Sequence, residues 1–319
     1  MKKLIVILFI FLFFADVKAQ QLDHYTQFTL NDYGMNPAVA GSANSLGFLV
    51  GNRTQWRGFE GEPNSEFASI TYALGKKGYK KYWHGVGAFV EQDKFGVFTN
   101  KVAYLSYAIH LKMSSKYRAG FGIAAGVKSV ALSNIVYDMN DPVFFDGSNR
   151  KVIVPDIIPG IYLYSKRFSL SISVHNAYKN TLSFGGKQLG SGIDLLPTAY
   201  ISLTRKFISH GYSFITIPAL NIQTNFRNGV PSVNFNLITY YKKRVGVGLN
   251  YRMHDAVSAI LQVRIYKNLI VGIAYDLTVS RFRAGKANSD EIMIGYSPIL
   301  SVEELEKQPV ADCPKFEVF

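Results

Sequence analysis

The sequence predicts an all-β protein, a transmembrane antiparallel outer-membrane β-barrel of about 14 strands. Three observations lead to this prediction. Apolar and polar residues alternate over runs of about ten residues, the length of a tilted strand that crosses a bilayer. After the N-terminus, no stretch is apolar for the roughly 20 residues that a transmembrane helix needs. The connections between the runs are also sorted by length, as they are in outer-membrane barrels.

The N-terminus predicts an exported protein. Residues 1–3 form a short basic start, and an apolar run follows over residues 4–14. This run is shorter than a spanning helix but has the length of a signal-peptide core, and small residues follow it. We therefore expect residues 1–19 to be a signal peptide that is cleaved near Ala19. A single cysteine, Cys313, excludes a disulfide-rich scaffold and a multi-cysteine metal site.

The mature chain divides into three parts. Residues 20–43 alternate poorly and are rich in turn formers, so we expect an N-terminal cap or plug segment. Residues 44–297 carry the alternating runs and are expected to form the outer-membrane barrel. Residues 298–319 begin with a proline that breaks the last strand. We expect them to be a periplasmic tail with an acidic stretch.

Alternation is clear in the run after residue 243. One parity is apolar and is expected to face lipid, and it consists of Val245, Val247, Leu249 and Tyr251. The other parity is small or polar and is expected to face the lumen, and it consists of Gly246, Gly248, Asn250 and Arg252. The pairs Gly85-x-Gly87 and Gly120-x-Gly122 lie in similar runs. They therefore indicate small lumen-facing residues rather than phosphate-binding loops.

The count of such runs gives about fourteen strands. They lie near 44–56, 64–74, 82–94, 98–112, 116–130, 158–165, 168–176, 195–206, 212–224, 231–241, 243–252, 256–266, 268–279 and 290–297. Connections from even to odd runs are mostly short and polar. The longest connections, 131–157, 177–194 and 280–289, join odd to even runs. Short periplasmic turns and long external loops favour a barrel over a secreted β-sandwich or propeller.

The formal charge of +13 collects at the predicted short-turn end. The basic residues there are Lys76, Lys77, Lys80, Lys81, Lys166, Arg167, Arg205, Lys206, Lys242, Lys243, Arg244 and Lys267. Two interpretations remain open, a solvated rim and a docking surface for an acidic periplasmic partner. Nucleic acid is excluded as a partner because the charge does not interleave with stacking aromatic residues along one groove.

No motif predicts catalysis. The chain lacks G-x-S-x-G, H-E-x-x-H and G-x-x-x-x-G-K-[ST], and its six histidines are scattered singly. The acidic residues of the longest loop fit no standard calcium pattern. We therefore predict no catalytic, cofactor-binding or metal-binding residues, and a protein that is not an enzyme. A surface hydrolase remains an alternative, and it would need Ser, His and acidic groups that converge on one rim.

Two segments depart from plain alternation. The first reads Asn36-Pro37-Ala38-Val39-Ala40-Gly41. The second is an R-x-Q-W-x-G-x-x-G-x-P motif formed by Arg53, Gln55, Trp56, Gly58, Gly61 and Pro63. In both their order and their spacing, these motifs resemble the PorP/SprF family of type IX secretion system membrane proteins. We treat Asn36, Pro37, Ala38 and Gly41, with the six residues of the second motif, as candidate partner-contact or structural residues.

The resemblance implies a Bacteroidetes outer membrane and a role in the export or surface attachment of a partner-specific cargo. In some members the cargo is a large gliding adhesin. The implied partners are a secreted cargo or adhesin protein, recognised through its C-terminal domain, other type IX components and outer-membrane lipid. The N-P-A sequence also occurs in plugged barrels that carry hydrophobic solutes. A plugged barrel that transports a small hydrophobic solute is therefore the alternative function.

Overall fold

The computed structural model describes residues 24–43, 46–75, 81–132, 151–183, 192–209, 213–225, 230–266, 269–280 and 287–296. The predicted signal peptide 1–19, the tail 298–319 and Cys313 lie outside the described residues. Within those residues, no helix is long and apolar enough to cross a membrane.

The described residues form a series of antiparallel strands. In chain order they are β1 (Gly47–Thr54), β2 (Asn64–Leu74), β3 (Tyr82–Phe95), β4 (Phe98–Lys112), β5 (Arg118–Leu132), β6 (Lys151–Tyr164), β7 (Phe168–His175), β8 (Asn180–Ser183), β9 (Gly192–Leu195), β10 (Thr198–Arg205), β11 (Phe207–Ile208), β12 (Phe214–Asn225), β13 (Ser232–Tyr241), β14 (Val245–Arg252), β15 (Ala256–Tyr266), β16 (Leu269–Thr278) and β17 (Ser289–Tyr296).

Fourteen of the described strands close into a barrel, which confirms the predicted fold and strand number. Each wall strand pairs with its neighbours in sequence, and β7 pairs with β10, which pairs with β12. The first and last strands close the wall, with Phe48 opposite Tyr296 and Thr54 opposite Asp290. Strands β8 and β9 form a separate hairpin, and β11 is a two-residue strand on the edge of β12.

Lipid-facing and lumen-facing side chains alternate as predicted. On β14 the side chains of Val247 and Leu249 are 58% and 62% exposed, whereas Asn250 and Arg252 are buried. Exposed apolar side chains on the outside of a barrel are stable in a bilayer, where they contact lipid instead of water. The wall is therefore apolar outside and polar inside.

One predicted strand start is wrong. Strand β6 begins at Lys151 rather than near residue 158, so the predicted loop 131–157 is shorter than expected. Pro155 weakens the sequence pattern because proline lacks a backbone N–H, yet it lies within the strand, opposite Val127. The predicted loop 177–194 contains the β8–β9 hairpin. By contrast, the ranges 64–74, 98–112 and 256–266 match β2, β4 and β15.

Residues 24–43, here called the inner segment, lie in the barrel lumen. They contain one helical turn, α1 (Asp32–Met35), and a short 3-10 helix (Pro37–Val39). The Asn36 side chain accepts a hydrogen bond from the Ala38 backbone N–H, which caps the 3-10 helix. Buried side chains of the inner segment pack against both halves of the wall, with Val39 against Trp83 and Phe28 against Ala219.

Candidate functional site

The first sequence motif fixes the inner segment to the wall through Asn36. Its side-chain amide donates to the carbonyl oxygens of Ile161 and Ile172, at 2.9 and 3.2 Å, and to the Ser171 hydroxyl at 2.7 Å. Its oxygen accepts from the Ala38 backbone at 2.9 Å. One fully buried side chain therefore joins β6 and β7 to the inner segment. Removal of such a group leaves several buried polar atoms unpaired.

Glycines of the wall allow the inner segment to approach closely. A Cβ at Gly122 would meet the backbone of Ala38, and a Cβ at Gly85 would meet the backbone of Ala40 and Gly41. Gly41 itself has a φ of +74°, which favours glycine because a side chain is strained there. The motif therefore matches the lumen in shape as well as in hydrogen bonding.

An aromatic pair holds the end of the first motif. The Trp83 indole N–H donates to the Gly41 carbonyl at 2.9 Å, and the His110 Nε2 lies 2.7 Å from the Ala40 carbonyl. The two rings stack with centroids 5.1 Å apart. The Tyr164 hydroxyl lies 3.0 Å from the other nitrogen of His110. These contacts hold the backbone of Ala40 and Gly41 against β3 and β4, shortly before β1 begins.

Arg53, from the second motif, anchors the opposite end of the inner segment. Its guanidinium lies 2.6 Å from Asp276 and 3.2 Å from Glu291, and it donates to the Thr26 hydroxyl at 3.0 Å. Arg252 also contacts Asp276, at 3.0 Å, and Thr26. The side chains of Arg53, Arg252, Asp276 and Glu291 are all buried. We call these four residues, with Thr26, the ionic cluster.

Glu291 connects the ionic cluster to the backbone of the inner segment. Its two carboxylate oxygens accept hydrogen bonds from the N–H groups of Thr26 and Gln27, at 2.8 and 2.9 Å. Arg252 also pairs with the half-buried Asp255 at 2.8 Å, so two arginines serve three carboxylates, and each buried charge has a partner of opposite sign. Because removal of one member leaves an uncompensated buried charge, such a cluster is sensitive to single substitutions.

The remainder of the second motif forms the connection between β1 and β2. The Gln55 N–H donates to the Pro63 carbonyl at 2.8 Å, and the Trp56 N–H donates to the Ser289 hydroxyl at 3.2 Å. Trp56 has a φ of +51°, an uncommon conformation for a bulky residue. The Gly58 N–H donates to Glu62, and the Gly61 carbonyl accepts from Gly96 on the β3–β4 turn. The connection is therefore tied to both of its neighbours.

The structure separates the candidate residues into two groups. Asn36, Pro37, Ala38 and Gly41 lie against β3 to β7, and Arg53 lies in the ionic cluster on the other side of the lumen. The other five residues of the second motif follow Arg53 in the β1–β2 connection, and they are Gln55, Trp56, Gly58, Gly61 and Pro63. The inner segment links the two groups. Its residues Thr26 and Gln27 bind Glu291 of the ionic cluster, and its residues 36–41 contact the β3–β7 wall.

Sequence reasoning missed the partners of both motifs. Asp276 and Glu291 fall within predicted strands but belong to no motif, and the same holds for Trp83 and His110. The sequence does show that these acidic residues lie on the lumen-facing side of their strands. A charged residue at such a position needs a partner inside the barrel. Arg252 is another residue of this kind in the sequence.

The barrel interior also changes the acidity of groups on the inner segment. Burial, with the positive charges of Arg252 and Arg53, lowers the pKa of His24 to about 3. Burial raises the pKa of the Asp32 carboxyl to about 7, and the Lys206 ammonium opposes this rise. His24 is therefore neutral near pH 7. In the described parts of the chain, no group of three or more His, Cys, Asp or Glu residues is placed to hold a metal ion.

Comparison with known proteins gives one family match. The family described as type IX secretion system membrane protein PorP/SprF matches residues 17–296. No curated protein matches the chain.

Similar solved structures are outer-membrane barrels of low sequence identity. The CymD monoaromatic hydrocarbon channel is 12% identical with a TM-score of 0.49, and the match covers 82% of this chain and 91% of that one. The toluene transporter TodX of Pseudomonas putida is 10% identical with a TM-score of 0.46, over 88% and 94% of the two chains. Outer membrane phospholipase A of Escherichia coli is 5% identical with a TM-score of 0.40, over 83% and 99%.

Proposed function

The chain belongs to the PorP/SprF family of type IX secretion system membrane proteins, and we propose that it exports a partner-specific cargo protein or attaches it to the cell surface. In this proposal the barrel acts by contact and catalyses no reaction. The cargo is a secreted, adhesin-like protein that the barrel recognises through the cargo's C-terminal domain. Other type IX components are its further partners.

The firm attachment of the inner segment is the observation that supports this proposal over solute transport, because a plugged transporter also holds a segment in its lumen but must be able to move it. The inner segment is fastened to the β3–β7 wall by Asn36 and to the ionic cluster by Thr26 and Gln27. Three cavities beside it have volumes of about 70, 70 and 60 Å³. Pockets for small ligands usually measure about 300–1,000 Å³. A solute path through the lumen would therefore require displacement of the inner segment.

The long-loop end offers surface for a protein partner. Phe59, Phe95 and Tyr178 are exposed on or beside connections at this end. The first two lie on neighbouring connections, which the hydrogen bond from the Gly96 N–H to the Gly61 carbonyl holds together. Exposed aromatic side chains are common anchors in protein interfaces. A specific complex would bury about 800 Å² on each partner.

Gene deletion separates the two functions. Under our proposal, deletion leaves the cargo in the medium, retained in the periplasm or degraded, while uptake of a hydrophobic solute such as toluene is unchanged. Transport would give the reverse, with normal cargo display and slower solute entry. Cargo can be measured on intact cells with an antibody, and solute uptake with the radiolabelled compound. Normal display in the deletion strain would refute the proposal.

Replacement of residues 133–150 by a short Gly-Ser turn tests the site of contact. The substitution joins the ends of β5 and β6 without altering their paired residues, so the barrel should still insert. We expect cargo to leave the cell surface while barrel abundance is unchanged. Retained cargo would place the contact at another connection. The matched control is an equivalent replacement of residues 226–229, between β12 and β13.

A further inference from the structure

We propose that the outer face of β3–β6 binds the phosphate groups of an outer-leaflet glycolipid through Lys94, Lys101 and Lys151. We call these three residues the lysine cluster. Each is exposed and lies at an outward-facing position near the long-loop end of its strand, on β3, β4 and β6 respectively. The long-loop end is taken as the external end, as in other outer-membrane barrels. The cluster is therefore separate from the lumen contacts that hold the inner segment.

The pairing of the strands places the three lysines close together. Lys94 lies opposite Thr99 on β4, and Lys101 is two positions further along the same face. Thr99 is in one row with Ala131 and Lys151 across β5 and β6. With strands about 4.8 Å apart and a rise of about 3.4 Å per residue, the Cα atoms of Lys94 and Lys101 are roughly 8 Å apart, and those of Lys101 and Lys151 roughly 12 Å. Two lysines can therefore bind one phosphate, and the third can bind a second phosphate of the same head group.

The lysine cluster lies where the lipid-facing band of the wall ends. On β4 the outward-facing residues after Lys101 are apolar over 103–111, and Leu105 among them is 72% exposed. A tilted strand needs about 9–11 residues to cross the hydrocarbon core, so this band has the length of one crossing. A lysine stem rests on apolar surface while its ammonium group reaches the polar head groups. The cluster is therefore at the depth of the lipid phosphates.

The described residues leave the lysine cluster without an acidic partner. None of its three ammonium groups forms an ion pair or a hydrogen bond with these residues. The acidic residues of the described β3–β6 strands, Glu91, Asp93 and Asp156, have the opposite parity and face the lumen. Glu66 on β2 lies opposite Gln92 and pairs with no member of the cluster. Basic residues at a membrane surface attract anionic head groups, which supply the missing negative charge.

The lysine cluster is also confined to one side of the barrel. At the long-loop end, the outward-facing positions of the described strands β7, β10 and β12–β16 hold no charged residue. Their side chains are mainly apolar, and Tyr251 and Leu277 are 49% and 54% exposed. Charge that served only to solvate the rim would be spread around it. Because Lys94 directly precedes Phe95, a bound glycolipid lies beside the proposed cargo surface.

Lipid binding by the purified full-length protein tests the proposal. The probe is lipid A with two phosphates, added to the detergent-solubilised barrel, and native mass spectrometry measures the bound fraction. We expect lipid A to bind and its dephosphorylated form to bind about tenfold more weakly. The combined variant Lys94→Gln, Lys101→Gln, Lys151→Gln should weaken lipid A binding by about tenfold or more, because each lysine near an anionic surface contributes about fivefold. Replacement of the same three residues by Arg should preserve binding.

The matched control removes three basic residues at the other end of the barrel, in the variant Arg205→Gln, Lys242→Gln, Arg244→Gln. These side chains are also exposed, so the control should fold and should bind lipid A as the unaltered protein does. Heat-modifiable gel mobility verifies that each variant is folded. Equal binding by the two Gln variants, or equal binding of the dephosphorylated lipid, would overturn the proposal. Displacement of lipid A by an equal amount of phosphatidylglycerol would also overturn it, since a phospholipid would then be the ligand.

Discussion

The guanidinium of Arg53 lies 2.6 Å from the carboxylate of Asp276, although 223 residues separate them in the chain. Both side chains are buried, with relative exposures of 1% and 2%. Arg57, four residues after Arg53, forms a second ion pair with Asp290 at 2.8 Å, and its side chain is 66% exposed. The protein therefore contains a buried ion pair that belongs to the ionic cluster and an exposed ion pair on the neighbouring connection.

Arg53→Ala should destabilise the barrel far more than Arg57→Ala. Loss of Arg53 removes the ion pair to Glu291 and leaves Asp276 with Arg252 alone, which costs about 3–5 kcal/mol in the free energy of unfolding. Loss of the exposed Arg57 should cost less than about 1 kcal/mol. The urea midpoint of the folded barrel, followed by its heat-modifiable gel mobility, measures both. Similar midpoints for the two variants would contradict the importance of the ionic cluster.

Asn36→Ala should loosen the inner segment. The substitution removes the amide that donates to two wall carbonyls and to Ser171, without a change in the wall itself. We expect transient ion conductance in planar bilayers, where the unaltered protein stays closed. Asn52→Ala is the control, because that amide donates to Asn64 on the neighbouring strand instead. A variant as closed as the unaltered protein would mean that Asn36 does not hold the segment.

Gly85→Val should disturb the inner segment, whereas Ala88→Val should not. A side chain at position 85 meets the backbone of Ala40 and Gly41, which cannot move aside as a flexible side chain could. Ala88 lies three positions along the same strand with the opposite parity, so its side chain faces lipid. Limited proteolysis of the folded barrel should cut the inner segment faster in the first variant. Equal cleavage would argue against a tight fit.

Cysteine labelling should establish the orientation of the barrel. In a Cys313→Ser background, Tyr178→Cys at the long-loop end should react with an impermeant maleimide on intact cells. Lys242→Cys, in the short turn between β13 and β14 at the other end, should react only after permeabilisation. Labelling in the opposite sense would reverse the orientation.

Trp56→Ala should reduce cargo display more than Tyr251→Ala. Trp56 lies in the β1–β2 connection with a left-handed backbone, whereas Tyr251 is an exposed side chain on the outer face of β14. Loss of Tyr251 removes only one lipid or interface contact. Display is measured by antibody binding to intact cells at equal barrel abundance. If both variants display cargo normally, the second motif has no special role in attachment.

The sequence predicted the wall better than the interior. Alternation alone located β2, β4 and β15 to the residue, because each strand has one lipid face and one lumen face. The start of β6 was missed because Pro155 resembles a loop residue until its partner, Val127, is known. A local sequence pattern identifies a strand. Whether that strand can contain a proline depends on how it pairs with the adjacent strands of the sheet.

The candidate site was predicted in its motifs but not in its contacts. Asn36 and Arg53 stood out because they belong to conspicuous local sequences. Their partners, Ile161 and Asp276, lie more than one hundred residues away in the chain, and they carry no local signal apart from lumen-facing parity. A pattern with a period of two cannot report which lumen-facing residues meet across the barrel.

The position of the inner segment also constrains the order of assembly. Thr26 and Glu291 are joined by a hydrogen bond across 265 positions, and β1 pairs with β17 only when the last strand is present. A segment that precedes β1 must lie within the curved sheet before these two strands meet, since later threading through a closed ring is unfavourable. Ring closure and segment docking should therefore be one late, slow step that depends on the most distant contacts in the chain. A newly made barrel would hold the inner segment in its lumen from the moment it closes.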